Sequence, residues 1–304
     1  MISVIICSVN PELLKQIKLN ISSTIGVEHE FIIYNNKIDQ YGIGKAYNLC
    51  SRKAKYEYCC FVHEDVSFDT DAWGKILLDF YQTDSNTGVI GFAGAKIVLK
   101  NFISWGTNTI YDRANYHEYL KSTETYKYIS INPVKEIFSR VIVLDGFCLF
   151  VKKNIVYESP FDEETFKGFH LYDADFSIKI SEKYHNYVNH NIKINHLSKG
   201  NYDIKYYDNL ILFHDKWNSK IHHSDDIVYS KYEFLKIEIR LACALFKTLS
   251  KYYGFLSSFC HIMKLNFKNY NAEFIDFIIV PSAFVAYLIK YIHKILCTNN
   301  RSIY

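Results

Sequence analysis

The chain has 304 residues, of which 49% are hydrophobic and 22% are charged, and its formal net charge is +3. This composition predicts one large folded domain, or one domain with an appendage, and excludes a disordered chain. The net charge is too small to indicate a nucleic-acid-binding protein. Eight cysteines without a CxxC pair indicate reduced thiols in a cytoplasmic protein.

Strands and helices alternate through the first 90 residues. We predict strands at 2–9, 30–34, 58–62 and 89–92, and helices at 12–24, 42–54 and 71–81. This alternation favours an α/β fold with a mostly parallel central sheet flanked by helices. Ligands bind such sheets beyond the carboxyl ends of the strands. The polar residues there, which we expect to meet in one crevice, are Ser8, Asn10, Asn35, Asn36, His63, Glu64 and Asp65.

The middle of the chain is less regular. Residues 100–140 show no clear period, so we predict irregular structure there. A strand is predicted at 141–151, with Asp145-Gly146 inside it, and a loop at 161–170. A helix at 171–184 opens on Tyr172-Asp173-Ala174-Asp175, and a strand at 187–195 leads to His196. We expect Trp73 and Trp105 to be packing residues rather than a platform for a sugar.

The composition changes near residue 226. Residues 226–304 carry ten Lys and Arg against five Asp and Glu, and they include helical patterns at 229–253 and 272–297. We therefore predict a catalytic domain at 1–225 and a helical extension at 226–304. The longest uncharged apolar run, 277–289, has 13 residues, whereas a membrane span needs about 20. A basic, aromatic extension instead favours peripheral contact with an anionic membrane or a mutually packed helix pair.

The acids at the end of the third strand need an explanation. Neighbouring carboxylates repel each other and lose hydration on burial unless a cation meets them. A divalent ion that carries a diphosphate would satisfy both acids, since Asp binds Mg²⁺ and Mn²⁺ through oxygen. The alternative is structural, in which Glu64 and Asp65 cap the next helix or lie in a solvated loop.

The order of the motifs resembles glycosyltransferase family 2, which has the GT-A nucleotide-diphospho-sugar transferase fold. The apolar first strand ends in a polar turn at 3–10 (SVIICSVN), the second strand ends in Asn35-Asn36, and a Gly-x-x-x-Ala-x-Asn-like helix follows at 42–48 (GIGKAYN). His63-Glu64-Asp65 falls where this family has an Asp-x-Asp motif, and it is similar to a bacterial subgroup with His at the first position. Tyr172-Asp173-Ala174-Asp175 resembles the later acid motif, and His196 matches a histidine that follows it.

The resemblance implies roles for these residues. Asp65 would bind Mn²⁺ or Mg²⁺, with His196 near the metal or the diphosphate. Asp173 matches the general base that deprotonates the acceptor hydroxyl. The residues expected around the nucleotide-sugar are Ser8, Asn10, Asn35, Asn36, Lys45, Asn48, His63, Glu64, Asp145 and Gly146. For Asp145-Gly146, a bulge in the strand is the structural alternative to a backbone approach to the substrate.

The sequence also departs from the family pattern. His63 replaces an Asp, which leaves the contact to the ribose open, and Asn35-Asn36 replaces a base-reading Asp. Tyr172 stands where Glu is usual, so the base is either Asp173 or Asp175. Acids in a first helical turn also have a purely structural use, because they interact favourably with the helix dipole.

The resemblance therefore implies an inverting, metal-assisted glycosyltransferase of the hexosyltransferase type. Its partners would be a nucleotide-diphosphate sugar and a glycan or lipid-linked acceptor, with a role in polysaccharide biosynthesis at the inner face of the cell membrane. A homodimer is left open. The alternatives are a catalytically degenerate module with a binding or scaffolding role, and a nucleotidyltransferase. The first strand runs into CSVNPELL, without the Gly-rich loop that nucleotidyltransferases usually carry.

Overall fold

A computed structural model describes residues 1–107, 110–198, 200–217, 222–223, 231–267, 282 and 284–289. The strands are β1 Ile2–Ser8, β2 His29–Asn35, β3 Tyr58–Val62, β4 Val66–Phe68, β5 Thr87–Gly91, β6 Ala93–Ala95, β7 Ile97–Val98, β8 Asp112–Leu120, β9 Thr125–Ile131, β10 Phe138–Val141, β11 Val143–Leu144, β12 Cys148–Lys152, β13 His185–Asn189, β14 Ile194–His196 and β15 His222–His223. The helices are α1 Pro11–Thr24, α2 Asn36–Asp39, α3 Ile43–Ser51, α4 Trp73–Thr83, α5 Lys153–Glu158, α6 Tyr172–Ser181, α7 Ile204–Trp217, α8 Lys231–Tyr253 and α9 Phe255–Phe267.

The central sheet has seven strands in the order β10-β13-β5-β12-β3-β1-β2. β1 pairs in parallel with β2 and β3, as the alternating pattern predicts, whereas β12 runs antiparallel to both β3 and β5. The apolar run of β1 is almost wholly buried, because helices cover the sheet on both faces. This register puts Ser8 directly beside Asn35 at the carboxyl ends of β1 and β2.

A second, smaller sheet contains two strands, β8 and β9, from the part of the chain for which we predicted irregular structure. Its order is β11-β6-β8-β14-β4, and β9 pairs with the outer part of β8. The prediction was wrong here because β8 is buried on both faces in its first half, while β9 is mostly exposed. Neither strand therefore shows the apolar-polar alternation that marks a half-buried strand.

The predicted strand at 187–195 is two strands that belong to different sheets. β13 pairs with β5 and β10 in the central sheet, and β14 pairs with β4 and β8 in the smaller one. His196 ends β14, so the crossing of the chain from one sheet to the other carries this histidine to the carboxyl end of β3.

The helices after residue 226 pack on the rest of the protein. Leu245, Phe246 and Leu249 of α8 belong to the same buried cluster as Tyr47 of α3 and Phe213 of α7. The helix predicted at 272–297 lies mostly outside the described residues, within which 284–289 are helical. Among the described helices, none combines the length and apolar character that crossing a bilayer requires. The domain boundary near 225 stays a prediction.

Candidate active site

A cleft of about 430 Å³ opens where β3, β11 and β14 end. Residues from several separate parts of the chain line it, including His63 after β3, Asp145 after β11, Asp173 in α6 and His196 in β14. Aromatic side chains form much of its wall, namely Trp105, Tyr116, Phe147, Phe169, Tyr172, Tyr202 and Tyr206. Clefts with apolar walls and a few converging polar groups are typical of small-molecule sites.

Three candidate metal ligands meet at the edge of this cleft. One ligand atom each from His63, Asp65 and His196 lies within 4.8 Å of the others. Asp65 Oδ1 is 3.5 Å from His196 Nε2, and the backbone N–H of Leu197 donates to the carbonyl of Asp65. His196 also stacks on Phe147, with ring centroids 4.8 Å apart. Strand pairing and stacking therefore hold these side chains together before any ion binds.

The pKa shifts of His63 and Asp65 favour the protonation states that bind a cation. Burial and the charge of His196 lower the pKa of His63 to about 4, so its imidazole is neutral near pH 7. Burial raises the pKa of Asp65, but the hydrogen bond and charge of His196 outweigh it and hold this pKa well below the usual range. A neutral imidazole and an ionised carboxylate are the forms that bind metals.

Tyr172 connects the cluster to the start of α6. Its hydroxyl lies 2.8 Å from His63 Nε2 and donates to the carbonyl of Gly146 at 3.1 Å. The ring is buried against Tyr47 and Phe161. Tyr172 stands where the family pattern has Glu. Its hydroxyl lies between His63 and the Gly146 carbonyl and so fixes the orientation of the His63 ring.

Asp173 projects into the cleft from the first turn of α6. Its Oδ2 accepts a 2.7 Å hydrogen bond from the backbone N–H of Gly146, and backbone N–H groups at the start of α6 also approach it. Burial and the nearby charge of Asp145 nevertheless raise the pKa of Asp173 to about 7. A carboxyl group with such a pKa both accepts and releases protons near neutral pH.

The Asp145-Gly146 corner separates β11 from β12. Asp145 Oδ2 accepts a 2.5 Å hydrogen bond from the indole N–H of Trp105, and Oδ1 accepts one from the backbone N–H of Phe147. A side chain at position 146 would lie 2.7 Å from Tyr172 Cζ, so the position requires glycine. The corner thus brings its backbone against α6, and an approach of this backbone to the acceptor stays a prediction.

Asp175 follows Asp173 by two residues in α6 and lies in a different environment. Its side chain is fully buried, and Oδ1 is 2.6 Å from Lys216 Nζ and 2.8 Å from Trp217 Nε1. These contacts join α6 to the end of α7. Asp175 is not among the described residues that line the cleft.

Glu64 faces away from the metal cluster toward the end of β1. Its carboxylate accepts a 2.6 Å hydrogen bond from Ser8 Oγ and further bonds from the backbone N–H groups of Val9 and Asn10. Asn10 itself caps α1 through the N–H groups of Glu12 and Leu13. Glu64 therefore closes the turn after β1, and its oxygens are engaged by the protein.

A second cavity of about 660 Å³ adjoins the first and shares Phe169 and His170 with it. It lies at the carboxyl ends of β1 and β2, where Val9 and Asn36 line it. Three lysines also line it, Lys37, Lys167 and Lys205. Asn36 bonds both backbone polar groups of Tyr41, so its amide shapes the loop at the cavity wall. Asn35 accepts from the backbone N–H of Lys37.

Lys45 and Asn48 lie on α3, behind this cavity. Lys45 Nζ is 4.0 Å from the centroid of the Tyr41 ring. Asn48 is buried; its amide donates to the carbonyl of Phe161 and to Glu163, and it accepts from the N–H of Phe161. Asn48 thus holds the loop that precedes α6, and its role behind the phosphates stays a prediction.

Sequence reasoning missed the aromatic wall of the cleft and the contact of Trp105 with Asp145. No local signal could have found this contact, because 40 residues separate the two. Trp73, by contrast, is fully buried and stacks on Phe68, as expected of a packing residue.

Comparison with known proteins now adds to this geometry. The model of the Glycosyltransferase like family matches residues 3–213, more than two thirds of the chain. The chain belongs to this family. No curated protein sequence matches it.

Solved structures of low sequence identity share its fold. S. aureus TarS 1–349 is 11% identical, with a TM-score of 0.54 over 87% of this chain and 80% of its own. The complex of TarS 1–349 with UDP is 12% identical, with a TM-score of 0.52 over 87% of this chain and 80% of its own. GalNAc-T7 with UDP, GalNAc and Mn²⁺ is 11% identical and covers 84% of this chain and 56% of its own, with a TM-score of 0.48. Together with the family, the two TarS structures show that this glycosyltransferase has the GT-A fold, as the order of motifs predicts.

Proposed function

We propose that this glycosyltransferase transfers a hexose, with inversion, from a nucleoside diphosphate donor to a hydroxyl group of a glycan or lipid-linked acceptor. The observation that carries the proposal is that one cleft holds both a carboxylate with a pKa of about 7, Asp173, and a three-residue cation site. An inverting transfer needs one base at the acceptor and charge stabilisation at the leaving group.

Asp173 is the proposed base. As the acceptor oxygen attacks the anomeric carbon, its proton passes to the Asp173 carboxylate, and the bond from that carbon to the diphosphate breaks with the electron pair on the phosphate oxygen. The N–H of Gly146 holds Asp173 Oδ2 during this transfer. The ion pair of Asp175 with Lys216 favours Asp173 over Asp175 for this role.

His63, Asp65 and His196 would hold the divalent ion. When bound, the ion neutralises the charge that develops on the departing diphosphate. Two imidazoles and one carboxylate suit Mn²⁺ better than Mg²⁺, because Mg²⁺ prefers an all-oxygen shell and gives up its waters reluctantly. We therefore propose Mn²⁺ as the preferred ion.

The second cavity is the proposed site for the nucleotide. It lies at the ends of β1 and β2, and its three lysines supply positive charge for the phosphates. The TarS complex contains UDP, and on this basis we propose UDP as the nucleotide. The hexose would then lie between the two cavities, near His63, and the acceptor against the aromatic wall of the first cavity.

The extension at 226–304 is proposed to contact an anionic membrane at the cytoplasmic face. Beyond its basic composition, the turn between α8 and α9 exposes Tyr252, Phe255 and Leu256, with exposed fractions of 42, 44 and 72%, next to Lys247 and Lys251. Apolar and basic side chains in this arrangement favour an interfacial location. The test is sedimentation with vesicles containing phosphatidylglycerol. The Phe255→Ser/Leu256→Ser protein should stay in the supernatant, and equal binding of both proteins would contradict this role.

Thermal unfolding with UDP, GDP, dTDP and CMP, each with Mn²⁺, Mg²⁺ or chelator, tests the donor site. A ligand at 100 times its dissociation constant adds about 2.7 kcal/mol of stability. We expect the largest shift with UDP and Mn²⁺. Transfer itself is tested by UDP release from a panel of UDP-hexoses with p-nitrophenyl glycosides as probe acceptors. A lack of any nucleotide shift, together with no release, would favour the degenerate binding module.

A further inference from the structure

The segment of residues 100–107, between β7 and β8, forms one wall of the cleft. It contains neither strand nor helix, yet Phe102, Ser104, Trp105 and Gly106 all line the site. Such a segment lacks the regular hydrogen bonds that would hold its backbone, so its polar groups need other partners. Side chains of three helices, α7, α8 and α9, supply such partners.

Glu238 of α8 is the central partner. Its side chain is 4% exposed, and its two oxygens accept hydrogen bonds from the N–H of Lys100 at 2.9 Å, the N–H of Asn101 at 3.3 Å and Asn101 Nδ2 at 2.7 Å. Asn266 of α9 exchanges two more bonds with the Asn101 amide, at 3.0 and 3.1 Å. A buried carboxylate is costly unless its oxygens are hydrogen-bonded, and these donors satisfy both oxygens of Glu238.

Further side chains hold the rest of the segment. His214 Nε2 donates to the carbonyl of Phe102 at 2.7 Å, and the hydroxyl of Tyr206 donates to the carbonyl of Ile103; both residues belong to α7. Arg240 of α8 donates to the carbonyl of Thr107 at 2.7 Å. Helices α7 and α8 thus hold backbone groups along the segment from its first residue to its last, and α9 holds the side chain of Asn101.

The opposite side of the segment reaches the reacting groups. Trp105 donates its indole N–H to Asp145 Oδ2, and Asp145 is the charged neighbour of Asp173. Trp105 also packs edge-on to Tyr116 in the aromatic wall. Any shift of the segment would therefore move the indole away from Asp145 and alter the surface on which the acceptor lies.

We propose that α8 and α9 serve as a brace for the acceptor side of the site, and that Glu238 is its positioning residue. Glu238 touches neither the cleft nor the candidate metal ligands among the described residues, and it acts through residues 100–107 and Trp105. The expected effect on acceptor kinetics rests on the proposed function, whereas the expected effect on the stability of residues 100–107 does not.

The test compares Glu238→Gln with the full-length wild type. An amide offers one acceptor oxygen where the carboxylate offers two, so the donors of Lys100 and Asn101 cannot all be satisfied. We expect amide hydrogen exchange in peptides covering 98–107 to accelerate about tenfold or more, without a comparable change in β1 or β3. Affinity for UDP with Mn²⁺ should stay within about twofold. With the best probe acceptor, KM for the acceptor should rise about tenfold and kcat should fall, while KM for the donor is unchanged.

Two further variants keep the test decisive. Ala244→Gln places the same amide side chain at an exposed position of the same helix and should match the wild type. Arg240→Gln removes the contact at Thr107, which is the hydrogen bond of this side chain among the described residues, so it reports on the brace even if Glu238→Gln fails to fold. Local exchange unchanged in both Glu238→Gln and Arg240→Gln would overturn the brace. Faster exchange in Glu238→Gln with unchanged acceptor KM and kcat would overturn its positioning role. If the wild type is inactive but exchange is faster in Glu238→Gln, that result would count against the proposed function alone.

Discussion

At the scale of single residues, the site depends on carboxyl groups of the same type placed in different surroundings. Asp65 lies beside two histidines, and its pKa is lowered. Asp173 lies buried beside Asp145, and its pKa is raised to about 7. Asp175 is fully buried in an ion pair with Lys216. The surroundings, and not the residue type, therefore suit Asp65 to bind a cation, Asp173 to accept a proton and Asp175 to make a structural contact.

Replacement of Asp173 by Asn should abolish transfer and leave donor binding intact. The amide cannot accept the proton of the acceptor hydroxyl, and loss of a general base lowers rates by about 10²–10⁴. Measurement of UDP release and of UDP affinity in the same variant separates the two effects. Wild-type turnover in Asp173→Asn would move the base to another residue.

The pH dependence of transfer should report the same group. Asp173 accepts a proton only when ionised, so kcat should fall as the pH decreases through about 7.

The raised pKa of Asp173 also means that the folded state loses stability as the pH rises from 4 to 7, because ionisation is easier in the unfolded chain. Asp173→Asn should therefore be more stable than the wild type by about 1–3 kcal/mol at pH 8 and equal to it at pH 4. An equal difference at both pH values in urea unfolding would contradict the buried charge.

Asp65→Ala should remove the nucleotide affinity that depends on Mn²⁺. It takes away the one carboxylate of the cluster and leaves two imidazoles, which hold the ion poorly alone. Asp69→Ala, at an exposed position four residues later, is the matched control. Calorimetric titration of UDP with and without Mn²⁺ decides the matter, and metal-dependent binding that survives in Asp65→Ala would exclude this site.

At the scale of elements, the cleft forms where three chain segments meet the start of α6. The Asp145-Gly146 corner, the end of β3 and the end of β14 each carry one part of the site. Leu171, which precedes α6, adopts φ of 61°. A left-handed conformation in a buried leucine is costly, and the packing of α6 against the corner maintains it.

Gly146→Ala should disrupt this junction. The new Cβ would lie 2.7 Å from Tyr172 Cζ and 2.8 Å from the Cβ of Asp173, so α6 or the corner must move. We expect a loss of about 1–3 kcal/mol in unfolding free energy and a larger loss of transfer than of UDP binding. Gly168→Ala, where a Cβ meets nothing within 4 Å, is the control. Full activity in Gly146→Ala would show that the close approach is not needed.

At the scale of the whole molecule, the helices after residue 226 share a core with the sheet. Phe246 of α8 is fully buried in the cluster that contains Tyr47 and Phe161. Phe246→Ala should therefore lower the unfolding free energy by about 3–5 kcal/mol within a single transition. Leu256→Ala, at a position that is 72% exposed, should change it by less than about 0.5 kcal/mol. Two separate transitions in the wild type would instead show an independent extension.

The sequence by itself predicted the parallel half of the sheet and the place of the site. The β-branched runs at Ile2–Ser8 and Tyr58–Val62 specify buried strands, and polar residues directly after them must lie at one edge. The order of motifs predicted the family and the GT-A fold, and both are confirmed. Local residue order was sufficient because each of these features lies within a few residues of its own strand.

Only the tertiary structure decided which of these polar residues lie at the cleft. Glu64 and Asp65 are adjacent in sequence, yet one closes the turn after β1 and the other joins His63 and His196. Trp105 and Glu238 are 133 residues apart in the chain, and they act on the same short segment. Burial, side-chain direction and partners from distant helices set these roles. These roles arise from packing between elements that are distant in the chain, so no local pattern in the sequence could predict them.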